Sequence, residues 1–158
     1  MQAHDPKYRP NAAIIVTDGK GHVLLCERND LKYEGTWQTP QGGIDPGETA
    51  RQAAERELGE ELGLAPEEFE IIGESSKKHR YEWTEAYQLV NPFRAFVGQE
   101  QQFFLAQVHL GAQFYLDTAG HGEFRQVKWG SPADLVKYCW EAKRPGIEAS
   151  LKEFGLLG

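Results

Sequence analysis

The chain has 158 residues, 40% of them hydrophobic, and 17 basic against 24 acidic residues give it a net charge of −7. This length suits one domain, 1–158, and this apolar content suits a soluble folded protein rather than a disordered one. The acidic balance argues against a surface made for duplex DNA or for non-specific nucleic-acid binding, but leaves room for a local basic pocket for a phosphate chain. The two cysteines, Cys26 and Cys139, belong to no CxxC pair, so a reduced compartment is expected. Met1 to Asn11 is polar, and no apolar run approaches the ~20 residues that span a bilayer. A cytoplasmic location with no membrane partner is the expectation.

In chain order, Ala12 to Thr17 is apolar and partly β-branched and reads as a strand. The turn residues Asp18-Gly19-Lys20-Gly21 lead to a second strand, Val23 to Glu27, and the pair reads as a hairpin. Asp30 to Thr36 reads as a loop, and Trp37 to Pro40 as a short extended piece running into Gly42 and Gly43. Thr49 with Gln52 fits a capping box, and Gly63 stops the helix, giving a helix from Ala50 to Leu62. Ala54, Leu58 and Leu62 make an apolar stripe for the core. Strands are expected over Glu68 to Glu74, Gln101 to Leu110 and Arg125 to Trp129. Ser131 and Pro132 start a helix to about Trp140, and a last helix covers Gly146 to Phe154. The whole reads as an α/β sandwich with a mixed β-sheet.

Glu57, Glu60 and Glu61 stand at i, i+3 and i+4 of the first helix, so they share one face. Like charges this close are costly unless offset, and a hard divalent cation is the natural offset. A charge-rich helix face is more often simply solvated. The surroundings favour the cation. Gly42 and Gly43 let the backbone approach a ligand closely, Gly47 permits a tight turn, and Arg56 stands where it could pair with Glu48 and fix the loop to the helix.

The run from Gly42 to Leu64 resembles the Nudix box: Gly, five residues, Glu, seven residues, then Arg-Glu-apolar-any-Glu-Glu-any-Gly-apolar. Every fixed position of that pattern matches. The resemblance implies a Nudix α/β/α sandwich that hydrolyses a nucleoside diphosphate linked to another group. It implies Mg²⁺, with Mn²⁺ as a substitute, held by Glu57, Glu60, Glu61 and the Gly42 carbonyl, and a structural pair of Glu48 and Arg56. Metal ions would neutralise the pyrophosphate and acidify a bound water, and a carboxylate of the cleft would take its proton.

Further segments narrow the branch: Tyr8-Arg9-Pro10-Asn11, Trp37 to Ile44, Gly98-Gln99-Glu100-Gln101 with Phe103-Phe104-Leu105, and Lys143-Arg144. Together they resemble bacterial RNA pyrophosphohydrolases, kin of dinucleoside polyphosphate hydrolases. That resemblance implies removal of pyrophosphate from a triphosphorylated RNA 5′ end, with Arg9, Arg28, Gln99 and Lys143 on phosphates or first bases. Glu123, in Gly122-Glu123-Phe124, matches a further catalytic glutamate and metal ligand. Two departures stand out. Ala142 occupies a place where the branch has a base-stacking aromatic, with Trp140 two residues earlier. The segment Ser75 to Phe96 aligns poorly. Its Lys77, Lys78, Arg80 and Tyr81 suit either phosphates and bases or an ordinary solvated loop. His79 and His121 read as surface loop residues. The alternatives are a hydrolase of dinucleoside polyphosphates or (deoxy)nucleoside triphosphates, or a non-catalytic nucleotide- or RNA-binding module.

Overall fold

The computed structural model describes residues 5–29, 35–90, 93, 95–116 and 123–158. Its elements are β1 (Tyr8–Thr17), β2 (Val23–Arg28), β3 (Trp37–Gln38), β4 (Gln41–Gly43), α1 (Ala50–Leu62), β5 (Phe69–Glu82), α2 (Glu85–Val90), β6 (Gly98–Val108), β7 (Phe124–Gly130), α3 (Pro132–Tyr138) and α4 (Arg144–Glu153). Among the described residues no helix is long and apolar enough to cross a membrane.

The strands form one mixed sheet in the order β3-β2-β1-β6-β5, with β4 added to β1 and β7 to β2. Strand β6 lies between parallel β1 and antiparallel β5. It is buried almost throughout, which suits Phe103, Phe104, Leu105 and Ala106. One apolar layer packs α1 on the sheet: Ala53, Ala54, Leu58 and Leu62 meet Ala12, Ile14, Val16, Cys26 and Phe104. The opposite layer joins α3 and α4 to the other face through Leu135, Ile147 and Leu151 against Ala13, Ile15, Leu25 and Phe103. The result is an α/β/α sandwich. Alternation along β1 feeds both layers, because successive side chains point to opposite faces.

Helix α1 begins and ends where the sequence places it. Thr49 accepts from the Gln52 amide, Gln52 accepts from the Thr49 amide, and Gly63 closes the helix in the left-handed conformation. Other boundaries differ. Strand β1 starts at Tyr8, since the whole YRPN segment pairs with β6 from Gly98 onward. The extended piece after Trp37 divides into β3 on β2 and β4 on β1, so the two glycines lie in a strand. Helix α3 ends at Tyr138, and α4 begins at Arg144.

The largest difference is β5, which continues to Glu82 through the segment of weak pattern. Its register against β6 shifts between Ile71 and Gly73 and again between Glu74 and Lys78. Each shift breaks the two-residue alternation from which a strand is read. His79 is therefore a half-buried strand residue, its ring edge-on to Phe103 at 5.8 Å, and not a surface loop residue. His121, Gly122 and most of the loop 30–36 lie outside the described residues.

Candidate active site

A cavity of about 680 Å³ opens where α1 faces the end of the sheet. Its lining includes Gly42, Glu57, Glu60, Glu61, Glu123, Arg9, Arg28, Gln99 and Lys143. These are all the metal-ligand and substrate-contact residues expected from the sequence. They come from β1, β2, β4, α1, β6, the residue before β7 and the turn Glu141–Lys143. Two consequences of the topology gather them. The register sets Arg9 opposite Gln99, and β7 pairs with β2 so that Arg28 meets Phe124, the neighbour of Glu123.

The carboxylates are not equivalent. Glu57 and Glu61 are 7% and 6% exposed, packed between the apolar stripe of α1 and the cavity, while Glu60 and Glu123 are exposed at its rim. Burial pushes the Glu61 carboxyl well above the usual carboxylate range, and the neighbouring Glu123 and Glu57 push it further. Burial also raises Glu57, against the pull of Arg56. Among the described residues Glu61 Oε2 is buried with no hydrogen-bond donor. Carboxylates crowded around an unsatisfied buried oxygen call for a proton or a cation. This donor set of hard oxygens fits a divalent metal. The site is not a closed cage: among the described residues no three metal-ligating side chains already form a binding cluster. Glu60, the most exposed of the three helix glutamates, lies 3.3 Å from Arg56 Nη1, the nitrogen that also donates to Glu57.

Gly42 and Gly43 carry this packing. A β-carbon at Gly42 would overlap the Glu57 carboxylate, and one at Gly43 would overlap the Arg9 guanidinium. Adjacent strand residues face opposite sides, so the two glycines admit an acid on one side of β4 and a base on the other. Arg56 ties β4 to α1. Its Nε and Nη2 donate to the two Glu48 oxygens, each at 2.9 Å, Nη2 also donates to the Gly43 carbonyl at 2.9 Å, and Nη1 donates to Glu57 at 2.8 Å. The Arg56 guanidinium and the Asp45 amide hold the Glu48 carboxyl down at about 2.

Buried amides hold the basic side of the cavity. Gln99 Oε1 accepts from Asn11 at 2.8 Å and from Arg9 at 3.2 Å, while its Nε2 donates to the Tyr81 hydroxyl. Gln101 Nε2 donates to Asn11 and to Gln41. Lys143 is 7% exposed. Burial, reinforced by Arg28, lowers its ammonium to about 8. It lies 5.6 Å from the centre of the Tyr81 ring.

The sequence reading missed Asn11, Gln38, Gln41, Trp83, Tyr87 and Phe93, all of which line the cavity. A signal was available: Gln99, Glu100, Gln101 and Gln102 are four consecutive buried polar residues at the head of a central strand, and buried polar groups need partners. Of the described basic residues in the weakly patterned segment, Lys77, Lys78 and Arg80, none lines the cavity. Lys78 and Arg80 face Glu100 instead, at 3.9 and 2.7 Å. Tyr81, expected beside these basic residues, does reach the site.

The NUDIX domain profile matches residues 7–150. The chain belongs to the NUDIX family. This Nudix protein is 38% identical over 152 residues to a protein of Erythrobacter litoralis named RNA pyrophosphohydrolase, covering 95% of this chain and 92% of the relative. A Roseobacter denitrificans protein of the same name is 38% identical over 150 residues, covering 93% and 91%. In fold, the chain is similar to a C. elegans Ap4A hydrolase binary complex, with a TM-score of 0.68, 22% identity, and coverage of 92% and 96%.

Proposed function

We propose that this Nudix protein is a metal-dependent RNA pyrophosphohydrolase that converts a 5′-triphosphorylated RNA end to a 5′-monophosphate and releases pyrophosphate. The observation that carries the reading is a single cavity in which buried carboxylates adjoin a patch of cations. The names of the relatives at 38% identity support the same substrate.

Glu57, Glu61, Glu123 and Glu60, with the Gly42 carbonyl, would hold the metal, for which we propose Mg²⁺ with Mn²⁺ able to replace it. Such an ion supplies neutralisation of the pyrophosphate oxygens and acidifies a coordinated water. The chain's own residues do the rest. Arg9, Arg28 and Lys143 receive the phosphates, and Gln99 keeps Arg9 in place. Water attacks phosphorus, the P–O bond to the departing pyrophosphate breaks, and a carboxylate of the group accepts the water's proton. We assign that step to Glu123, which is exposed at the rim beside Glu61. Arg56 and Glu48 keep Glu57 and β4 aligned.

Ala142, small where a stacking ring is expected, favours a second reading in which dinucleoside polyphosphates or free nucleoside triphosphates are the substrates. In a direct test of the site, Glu57→Gln and Glu61→Gln lose orders of magnitude in rate at saturating Mg²⁺ with an unchanged melting temperature. Full activity in either variant would remove it from the metal assignment.

A further inference from the structure

Resting on the reading above that Arg28 receives phosphates, we propose that Glu27 and Arg125 form a clasp that positions Arg28 for the substrate. Neither residue lines the cavity. Both sit where the pairing of β2 with β7 breaks. Glu27 stands opposite Gln126 and Arg28 opposite Phe124, so Arg125 is an extra residue with no counterpart across the strands. Such a bulge bends its strand and re-aims the side chains around it. The effect is visible in the core. Phe124 and Val127, three residues apart, would face opposite sides of a regular strand, yet both pack in the layer under α1. The same break sets Arg28 opposite Phe124, and the Asn29 amide then donates to the Glu123 carbonyl at 2.9 Å. Arg28 and Glu123 thus enter one cavity from paired strand ends.

The two side chains hold this break in place. Arg125 Nε donates to the Arg28 carbonyl at 3.1 Å and lies 3.4 Å from Glu27 Oε1. Glu27 is buried and gathers two further donors. Gln126 Nε2 donates to the same oxygen and the Gly35 amide to the other, each at 2.8 Å. One carboxylate therefore ties β2 to β7 and to the turn that leads into β3, and one guanidinium fixes the backbone from which Arg28 projects. Hydrogen bonds to an ionised group are strong and directional, which suits a fixed geometry. Stability alone explains the pair poorly. Arg125 Nη2 is buried with no hydrogen-bond partner among the described residues, and a largely buried pair with an unsatisfied donor contributes little to stability. What it supplies is a rigid seat for a cation that must meet phosphate oxygens, where small displacements cost large factors in rate.

The test is a double-mutant cycle between the clasp and Arg28. Arg125→Met keeps the aliphatic stem but no donor, Arg125→Lys keeps the charge, and Glu27→Gln removes the carboxylate charge. Each is made in the unaltered enzyme and in Arg28→Met, and assayed with Mg²⁺ on triphosphorylated RNA at a temperature where circular dichroism shows every protein folded. In the unaltered background Arg125→Met lowers kcat/KM by roughly 10- to 100-fold, mainly through KM, and Arg125→Lys recovers part of the loss. Glu27→Gln gives a smaller loss in the same direction. In the Arg28→Met background each substitution costs no more than about 2-fold, because the group it positions is gone. Losses of equal size in both backgrounds, as a general loosening of the fold would give, overturn the proposal, and so does full activity of Arg125→Met. If the unaltered enzyme cleaves no triphosphorylated RNA, the functional reading itself has failed. The same cycle is then read by calorimetry from the affinity for inorganic tripolyphosphate with Mg²⁺. A loss confined to the Arg28 background supports the clasp, and equal losses, no loss or no binding overturn it.

Discussion

Lys143 shows how far a single side chain can be shifted by its place in the fold. An ammonium 7% exposed beside the Arg28 charge favours its neutral form, which brings it to about 8. The folded value lies below the ordinary one, so the charge is present below about pH 8 and is lost as pH rises through it. An anionic substrate then loses one of its cations, and kcat/KM of the free enzyme should fall on the alkaline side. Glu61 and Glu123 pull the other way, favouring the charged form. Lys143→Arg keeps its charge throughout, so its alkaline limb should be absent or moved upward. An identical limb in both proteins would show that Lys143 does not carry it. The residues of the glutamate box were legible in the sequence because their spacing is local and fixed. Tyr81 and Trp140 were not, or only in part. Tyr81 reaches the site through its pairing with Gln99 across two strands, and no local pattern announces such a register.

At the scale of elements, the join between β4 and α1 decides whether the carboxylates are presented at all. Arg56 alone links Glu48, the Gly43 carbonyl and Glu57. Lysine has a single ammonium and lacks the planar fork, so it satisfies part of this set at best. Arg56→Lys should cost about 1–3 kcal/mol of stability by leaving polar partners unmade. It should also lower kcat, because Glu57 loses its tether. Denaturant melts and steady-state kinetics check both. Full stability together with full activity would mean that the join is held elsewhere. Gly42→Ala acts on the same join from the other side. Its methyl must displace the Glu57 carboxylate, so activity should fall far more than stability, and a fully active variant would contradict the close packing. Helix α1 was legible to the residue because its caps are local chemistry. Strand β5 was not, because two register shifts erase its alternation.

At the scale of the whole molecule, the sandwich brings together chemistry that lies far apart in the chain. β1 and β6 lie side by side, α1 covers one face, and the turn after α3 closes the cavity from the other. Although the chain is acidic, three of its basic residues, Arg9, Arg28 and Lys143, are gathered at one cavity, which is what the proposed anionic substrate requires. The α/β/α class followed from sequence alone, and so did the position on α1 of the glutamates proposed to bind metal. The rings and amides that line the rest of the cavity did not, since they are assembled from β5, β6 and the turn at Trp140. The most direct test of the account is product analysis with Mg²⁺ on equal concentrations of triphosphorylated RNA, diadenosine tetraphosphate and free nucleoside triphosphates. The account predicts the highest kcat/KM on the RNA, with monophosphorylated RNA and pyrophosphate as products and no turnover after chelation. Faster turnover of the dinucleotide or the free nucleotides, or undiminished activity in chelator, would contradict it.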